Sequence, residues 1–181
     1  MENKHFTYKG ENISYGISGK DSAVVLLHGF GEDSDVWHYQ VDFLKDHFRI
    51  IVPDIPGSGA SPLNEQLTTI EDYSEAIKAI LDNENITQAV LIGHSMGGYI
   101  ALALAQKYPH LLKAFGLFHS TAFPDSEEKK QARLKSIEFI KLNGAYSFIK
   151  TSTPGLFSEE FKINHAKIVE ALIERNKKFL P

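Results

Sequence analysis

The chain has 181 residues, 43% of them hydrophobic, a net charge of −4 and no cysteine. This predicts one globular unit with a sizeable core and excludes disulfides, thiolate nucleophiles and cysteine-based zinc sites, while the scattered lysines and arginines offer no positive stripe for nucleic acid or anionic lipid. The start, MENKHFTYKG, lacks the apolar core of a signal peptide, and no apolar run approaches the roughly 20 residues that span a bilayer, so we expect a cytoplasmic protein without a membrane partner.

The first predicted element is a β-hairpin. Residues 5–17 alternate apolar and polar side chains on both sides of a Lys-Gly pair, which places Ile13, Tyr15 and Ile17 on one face. Such alternation is typical of strands with one face in solvent, so we expect the hairpin at the border of a sheet.

Four later runs are apolar throughout, as strands that are covered on both faces must be. The runs are AVVLLHG (23–29), RIIVPDI (49–55), AVLIGHS (89–95) and AFGLFHS (114–120). Helical patterns follow Ser34, Thr69 and the glycines after Ser95. The alternation of strand and helix predicts right-handed βαβ units in a parallel sheet.

Beyond the fourth run only helical patterns remain. Asp125 with Glu128 predicts a capping box for a helix that stops near Gly144, and Ser158 predicts the cap of another helix. The segment TSTPG between them is typical of a break.

The stretch GHSMG, residues 93–97, fits the pattern G-x-S-x-G. An apolar strand ends at it, a helix begins at it, and small residues flank the serine, which is the context of a strained strand-to-helix turn. Such a turn lifts the Ser95 hydroxyl above the carboxyl edge of the sheet, where the helix N-terminus can stabilise a developing oxyanion. Ser95 is therefore the predicted nucleophile.

The sequence resembles the α/β-hydrolase superfamily, particularly cap-bearing esterases and carbon–carbon bond hydrolases. The resemblance covers about residues 5–120 and rests on HGFG (28–31), PDIPGSGAS (53–61) and GHSMGG (93–98). It implies an α/β-hydrolase fold: a mostly parallel sheet with an N-terminal β-hairpin, helices on both faces and a helical cap at the C-terminus. We therefore expect an incomplete core at 1–122 and a cap region at 123–181.

The resemblance also implies the surroundings of the nucleophile. In that family the residue after the first H-G lends a backbone N–H to the oxyanion hole, which is Phe30 here, and Met96 supplies the other donor. Four neighbouring residues are expected to support the site or line its pocket: His28, Gly29, His94 and His119. We expect no cofactor and no metal.

The acid and histidine of the family's triad have no place in the pattern. The family orders them after the nucleophile, on later core strands, whereas His110, His119 and His165 all lack that setting here. We therefore expect a truncated hydrolase without its C-terminal core strands, slow or inactive as it stands. A sheet that ends at the fourth run leaves an apolar edge, which the cap helices or a second copy in a homodimer could cover.

These observations predict a serine hydrolase that cleaves an ester, thioester or related carbonyl bond of a small apolar substrate through a Ser95 acyl-enzyme. Two alternatives stay open. One is a non-catalytic module that binds or senses a small ligand on the same scaffold. The other is a lyase or a cofactor-free peroxidase, because the fold alone does not decide the reaction.

Overall fold

The computed structural model describes residues 1–178. The chain divides into two compact units, Met1–Ala122 and a second that begins at Phe123. The use of residues 123–181 as a cap stays a prediction. The first unit holds six strands: β1 (Glu2–Tyr8), β2 (Glu11–Ser18), β3 (Ala23–Leu27), β4 (Arg49–Pro53), β5 (Ala89–His94) and β6 (Leu112–Phe118). They form one sheet in the order β1-β2-β4-β3-β5-β6, in which β4, β3, β5 and β6 are parallel.

The predicted hairpin at the border of the sheet is confirmed. Lys9 and Gly10 both have positive φ values, 49° and 86°, which is the geometry that a two-residue hairpin turn requires. The strand β2 then pairs antiparallel with β4. The alternating residues Ile13, Tyr15 and Ile17 are buried, as the pattern predicted.

Helices cover both faces of the sheet, as expected. Successive strand residues point to opposite faces, so Val25 and Leu27 join one hydrophobic cluster while Val24 and Leu26 join the other. The helices of this unit are α1 (His38–Leu44), α2 (Ile70–Asn83) and α3 (Met96–Lys107). The first cluster takes its helical residues from α2 and α3, and the second takes them from α1 and the 3-10 turn before it. The fold is thus a mixed six-stranded sheet with helices on both faces, which is the architecture that the resemblance implied.

The strand β6 differs from its prediction as a strand covered on both faces. In the described part of the chain it is the last strand of the sheet, with β5 as its one neighbour. Phe115 and Phe118 are 47% and 50% exposed. A terminal strand has a neighbour on one side only, so its side chains lose the cover that a second strand provides.

The second unit is helical. Its α-helices are α4 (Glu127–Asn143), α5 (Ala145–Ser152), α6 (Glu159–Asn164) and α7 (Ala166–Arg175). The predicted Asp125–Glu128 capping box is wrong: Ser126 caps α4 by accepting from the Lys129 N–H, and Asp125 accepts from Arg133 instead. Within residues 1–178, every helix is too short or too polar to traverse a bilayer.

The other predicted boundaries of this unit hold only in part. Gly144 ends α4 with a φ of 84°, and Ser158 caps α6 by accepting from the Phe161 N–H at 3.2 Å, both as expected. The helix predicted after Ser158 is interrupted at His165, whose φ of −133° is outside the helical range and separates α6 from α7.

Candidate functional site

Ser95 occupies a strained turn between β5 and α3. Its φ of 51° and ψ of −114° lie outside the regions that serine ordinarily adopts, at a cost of about 1–3 kcal/mol. Two bonds hold this conformation: the Ser95 N–H donates to the Phe118 carbonyl at 3.0 Å, and the Ser120 hydroxyl donates to the Ser95 carbonyl at 2.8 Å. The last residue of β6 and the segment just after it therefore hold the backbone of this turn in place.

Glycines allow the backbones around this turn to approach closely. A Cβ on Gly93 would overlap the carbonyl of Gly97, and a Cβ on Gly97 would overlap the Leu27 carbonyl. Both obstacles are backbone atoms, which cannot rotate away. The first turn of α3 therefore lies directly against the carboxyl end of β3, where the loop with HGFG begins.

That loop passes beside the serine. A Cβ built on Gly29 would lie 3.2 Å from the Ser95 Cβ, so the structure brings the two predicted motifs together. Phe30 follows in a turn, with its side chain 62% exposed. Met96 is the first residue of α3, so its N–H has no acceptor within the helix. The roles of Phe30 and Met96 as oxyanion donors stay predictions.

Glu32 is the residue of this region that the sequence interpretation missed. Its Oε2 accepts from the Gly29 N–H at 2.7 Å and lies 2.8 Å from the His94 Nδ1. Because an ionised carboxylate can only accept, Nδ1 carries the hydrogen. Burial raises the pKa of Glu32, but the bond and charge of His94 and the Gly29 N–H outweigh it, so this pKa lies below its ordinary value. A side-chain bond to a backbone N–H three residues back is a local signal in HGFGED.

His28 supports the loop from inside the core. It is fully buried, its Nδ1 donates to the Gly29 carbonyl at 2.8 Å, and its Nε2 accepts from the Ile55 N–H at 3.0 Å. Burial lowers the pKa of His28, in keeping with a neutral ring. Both nitrogens are occupied by backbone groups, which suits a role in positioning the loop, and the part of His28 in the site stays a prediction.

An aromatic cluster adjoins the turn. The ring of His94 lies 6.4 Å from that of His119, 5.8 Å from Phe118 and 6.5 Å from Trp37, measured between centroids. Trp37 is buried and His119 is exposed. The structure thus places His119 near the turn, and its predicted role in the pocket stays a prediction. His110 precedes β6 and lies at the opposite end of the sheet from Ser95.

Comparisons with known proteins agree with this geometry. The family model described as the alpha/beta hydrolase fold matches residues 22–141. A thermophilic esterase from Thermogutta terrifontis superposes with a TM-score of 0.89 at 29% identity, over all of this chain and 68% of that one.

Two curated relatives add to the comparison. The 3-oxoadipate enol-lactonase 1 of Acinetobacter baylyi is 29% identical over 92% of this chain and 62% of its own length. A dihydrolipoyllysine-residue acetyltransferase component of an acetoin cleaving system from Cupriavidus necator is 32% identical over 65% of this chain and 32% of its own length. The chain thus spans about a third to three fifths of these relatives. With a family model that matches most of its length, the chain belongs to the α/β-hydrolase fold family.

Proposed function

We propose that this protein is a serine hydrolase that cleaves the ester, thioester or lactone bond of a small apolar substrate through an acyl-enzyme on Ser95. The observation that carries the proposal is the strained conformation of Ser95 beside Gly29. A conformation that costs free energy persists only where the surrounding structure imposes it, and such sites cluster at catalytic centres.

The reaction has two steps. The Ser95 Oγ attacks the carbonyl carbon and the alcohol or thiol leaves, which forms an ester on Ser95; water then cleaves that ester, releases the acid and restores the hydroxyl. Main-chain N–H groups of Phe30 and Met96 would stabilise the oxyanion in both steps, together with the positive end of the α3 dipole. The proton of Ser95 would pass to a histidine base, which the family places after the nucleophile in the chain, and from there to the leaving alcohol or thiol. His28 is excluded as this base because both its nitrogens are occupied.

The names of two relatives support the substrate class. One is called an esterase and the other an enol-lactonase, and a lactone is a cyclic ester. Both names describe attack on a carbonyl carbon bound to oxygen. The proposal carries this chemistry, without the particular substrates, to the present chain.

A fluorophosphonate, which reacts with activated serine hydroxyls, tests the proposal. We expect mass spectrometry to find the reagent on Ser95, at a slow rate because the sequence gives the base of the triad no place, and no labelling in Ser95→Ala. Ser126 serves as an internal control, because it is an exposed serine at a helix N-terminus but has an ordinary φ of −63°. Labelling of Ser126 and Ser95 at equal rates, or of neither, would contradict the proposal.

A further inference from the structure

We infer that Glu32 is a positioning residue: one oxygen of its carboxylate sets the distance between the oxyanion loop, residues 28–33, and the elbow, residues 93–97. The inference rests on the proposed function, because it assigns the spacing a part in the reaction at Ser95. Glu32 itself does not touch the substrate in this proposal.

The geometry of one oxygen atom carries the inference. Glu32 Oε2 accepts from the Gly29 N–H of the loop at 2.7 Å and from the His94 Nδ1 of the elbow at 2.8 Å. A Cβ on Gly29 would lie 3.0 Å from this oxygen, 3.2 Å from the His94 Nδ1 and 3.2 Å from the Ser95 Cβ. Loop, elbow and nucleophile thus converge on the Cα of Gly29.

The chemistry of the two partners favours a carboxylate at this position. Both partners are donors, a main-chain N–H and an imidazole N–H, so the group between them has to accept twice. The Glu32 side chain is 17% exposed and that of His94 is 24% exposed, so water competes poorly for either bond. The oxygen of a glutamine could still accept both bonds, but it carries no negative charge, so each bond would be weaker than its charge-assisted counterpart.

The bridged residues are direct neighbours of the two predicted oxyanion donors. Phe30 follows Gly29, and Met96 follows Ser95, which in turn follows His94. A carboxylate that holds Gly29 to His94 therefore limits how far the two donor N–H groups can drift apart. A misplacement of about 1 Å in an active site can cost on the order of 100-fold in rate.

The test separates positioning from plain stabilisation. We would measure kinact and KI for the fluorophosphonate at Ser95 in the wild type, Glu32→Gln and Glu84→Gln. Glu84 is the matched control because it is a glutamate shielded at least as well, 6% exposed at its side chain, whose bonds go to Tyr15 and Lys4 at the other end of the strands. We expect Glu32→Gln to lower kinact by about 10-fold or more with KI unchanged, and Glu84→Gln to leave both unchanged in the folded protein.

A second variant covers the case in which Glu32→Gln does not fold. His94→Phe keeps a ring of similar size but lacks the Nδ1 donor, so it cuts the elbow side of the bridge alone. We expect the same fall in kinact, and a double variant no slower than the slower single one, because both act through one contact. Equal kinact in wild type and both single variants would overturn the inference.

Failure of the proposed function gives a different result. If Ser95 is not labelled in the wild type, the hydrolase proposal fails, and hydrogen exchange of the Gly29 amide then tests the bridge by itself. We expect this amide to be protected in the wild type and in Glu84→Gln and to exchange at least 10-fold faster in Glu32→Gln. Unchanged exchange in Glu32→Gln would overturn the bridge whatever the labelling shows.

Discussion

A glutamate lies at each end of the parallel strands, Glu84 buried and Glu32 partly buried, and the two carboxylates have different kinds of partner. Glu84 lies where the strands begin: it accepts from the Tyr15 hydroxyl at 2.6 Å and from the Lys4 ammonium at 3.1 Å, and it pairs with Arg49 at the start of β4. Glu32 lies where the strands end and accepts from one main-chain N–H and one imidazole. The first carboxylate binds cations from two strands and a tyrosine hydroxyl from a third, and the second connects a loop to the end of β5.

The two ends also differ in backbone strain. Around Glu84, Asn85 also has a positive φ, 54°, but asparagine tolerates that conformation, and the surrounding charges are paired. Near Glu32, Ser95 adopts a conformation that serine disfavours, and backbone contacts enforce it. We conclude that the contacts at the Glu84 end stabilise the fold. At the Glu32 end the rest of the fold holds Ser95 in a strained turn, which would not persist without it.

The largest expected effect comes from disrupting the close backbone packing that holds the turn at Ser95. In Gly97→Ala the new methyl group would overlap the carbonyls of Leu27 and His28, so we expect a loss of at least about 3 kcal/mol in the free energy of unfolding and no labelling of Ser95. Gly155→Ala is the control, because its methyl group meets no atom within 4 Å, and we expect a change below about 0.5 kcal/mol. Urea denaturation measures both variants. A Gly97→Ala variant of wild-type stability would show that the turn is not enforced.

The next largest effect is expected at Glu84, where the strands begin. Glu84→Gln removes the charge that Lys4 and Arg49 share, and because those two side chains are about one third exposed we expect a loss of about 2 kcal/mol, less than for a fully buried pair. Asp42→Asn, which breaks an exposed pair with Lys45, should leave the free energy of unfolding unchanged within error, because water and salt screen such a pair. If Glu84→Gln lowers kinact at Ser95 in fully folded protein, the two ends are not separable in the way that the comparison states.

Most of this architecture could be predicted from the sequence because its signals are local. The hairpin follows from a period of two around a Lys-Gly turn, and the strand-to-helix junction at Ser95 follows from glycines in fixed positions around it. The break between α6 and α7 at His165 was missed because the apolar spacing of a helix continues across it, although the helical backbone conformation is interrupted there. The sequence placed β6 at the edge of the sheet, but it predicted that both faces of the strand are covered, because an apolar run reports hydrophobicity and not exposure.

Only one of the two hydrogen bonds that Glu32 accepts could be predicted from the sequence. Its bond to the Gly29 N–H spans three residues and is a local pattern, whereas His94 lies 62 residues away. The sequence placed both loops at the carboxyl edge of the sheet. Which side chain connects them depends on the separation of β3 and β5 and on the room that Gly29 leaves, and both are properties of the packed structure.

A smaller effect measures the strain at Ser95 directly. Glycine adopts a positive φ without steric cost, so we expect Ser95→Gly to be about 1 kcal/mol more stable than Ser95→Ala, which keeps the Cβ. Asn85→Gly is the counterpart at the other end, and we expect a change below about 0.5 kcal/mol because asparagine already tolerates its conformation. Chemical denaturation of the three variants gives the comparison. Equal stability of Ser95→Gly and Ser95→Ala would mean that the turn carries no strain.

The smallest expected effect concerns acid, where the two glutamates should behave alike. Burial raises the pKa of Glu84, but the bonds from Tyr15 and Lys4 and the charge of Arg49 outweigh it, so both Glu84 and Glu32 have lowered pKa values in the folded protein. As pH falls, the unfolded chain binds these protons first, so the stability that each carboxylate contributes is complete above its ordinary pKa and is lost as pH drops toward the folded value.

Denaturant titrations between about pH 6 and pH 3 measure this loss, for which a shift of one pKa unit corresponds to about 1.4 kcal/mol. We expect the stability of Glu84→Gln and of Glu32→Gln to fall less steeply with acid than that of the wild type, each by about 1 kcal/mol or less over this range. Charged partners help to lower the pKa of Glu84, so we expect this downward shift to become smaller in 1 M salt. The shift of the Glu32 pKa depends largely on hydrogen bonds and should change less. If salt removes both acid dependences equally, the two ends differ in position but not in the kind of force that holds them.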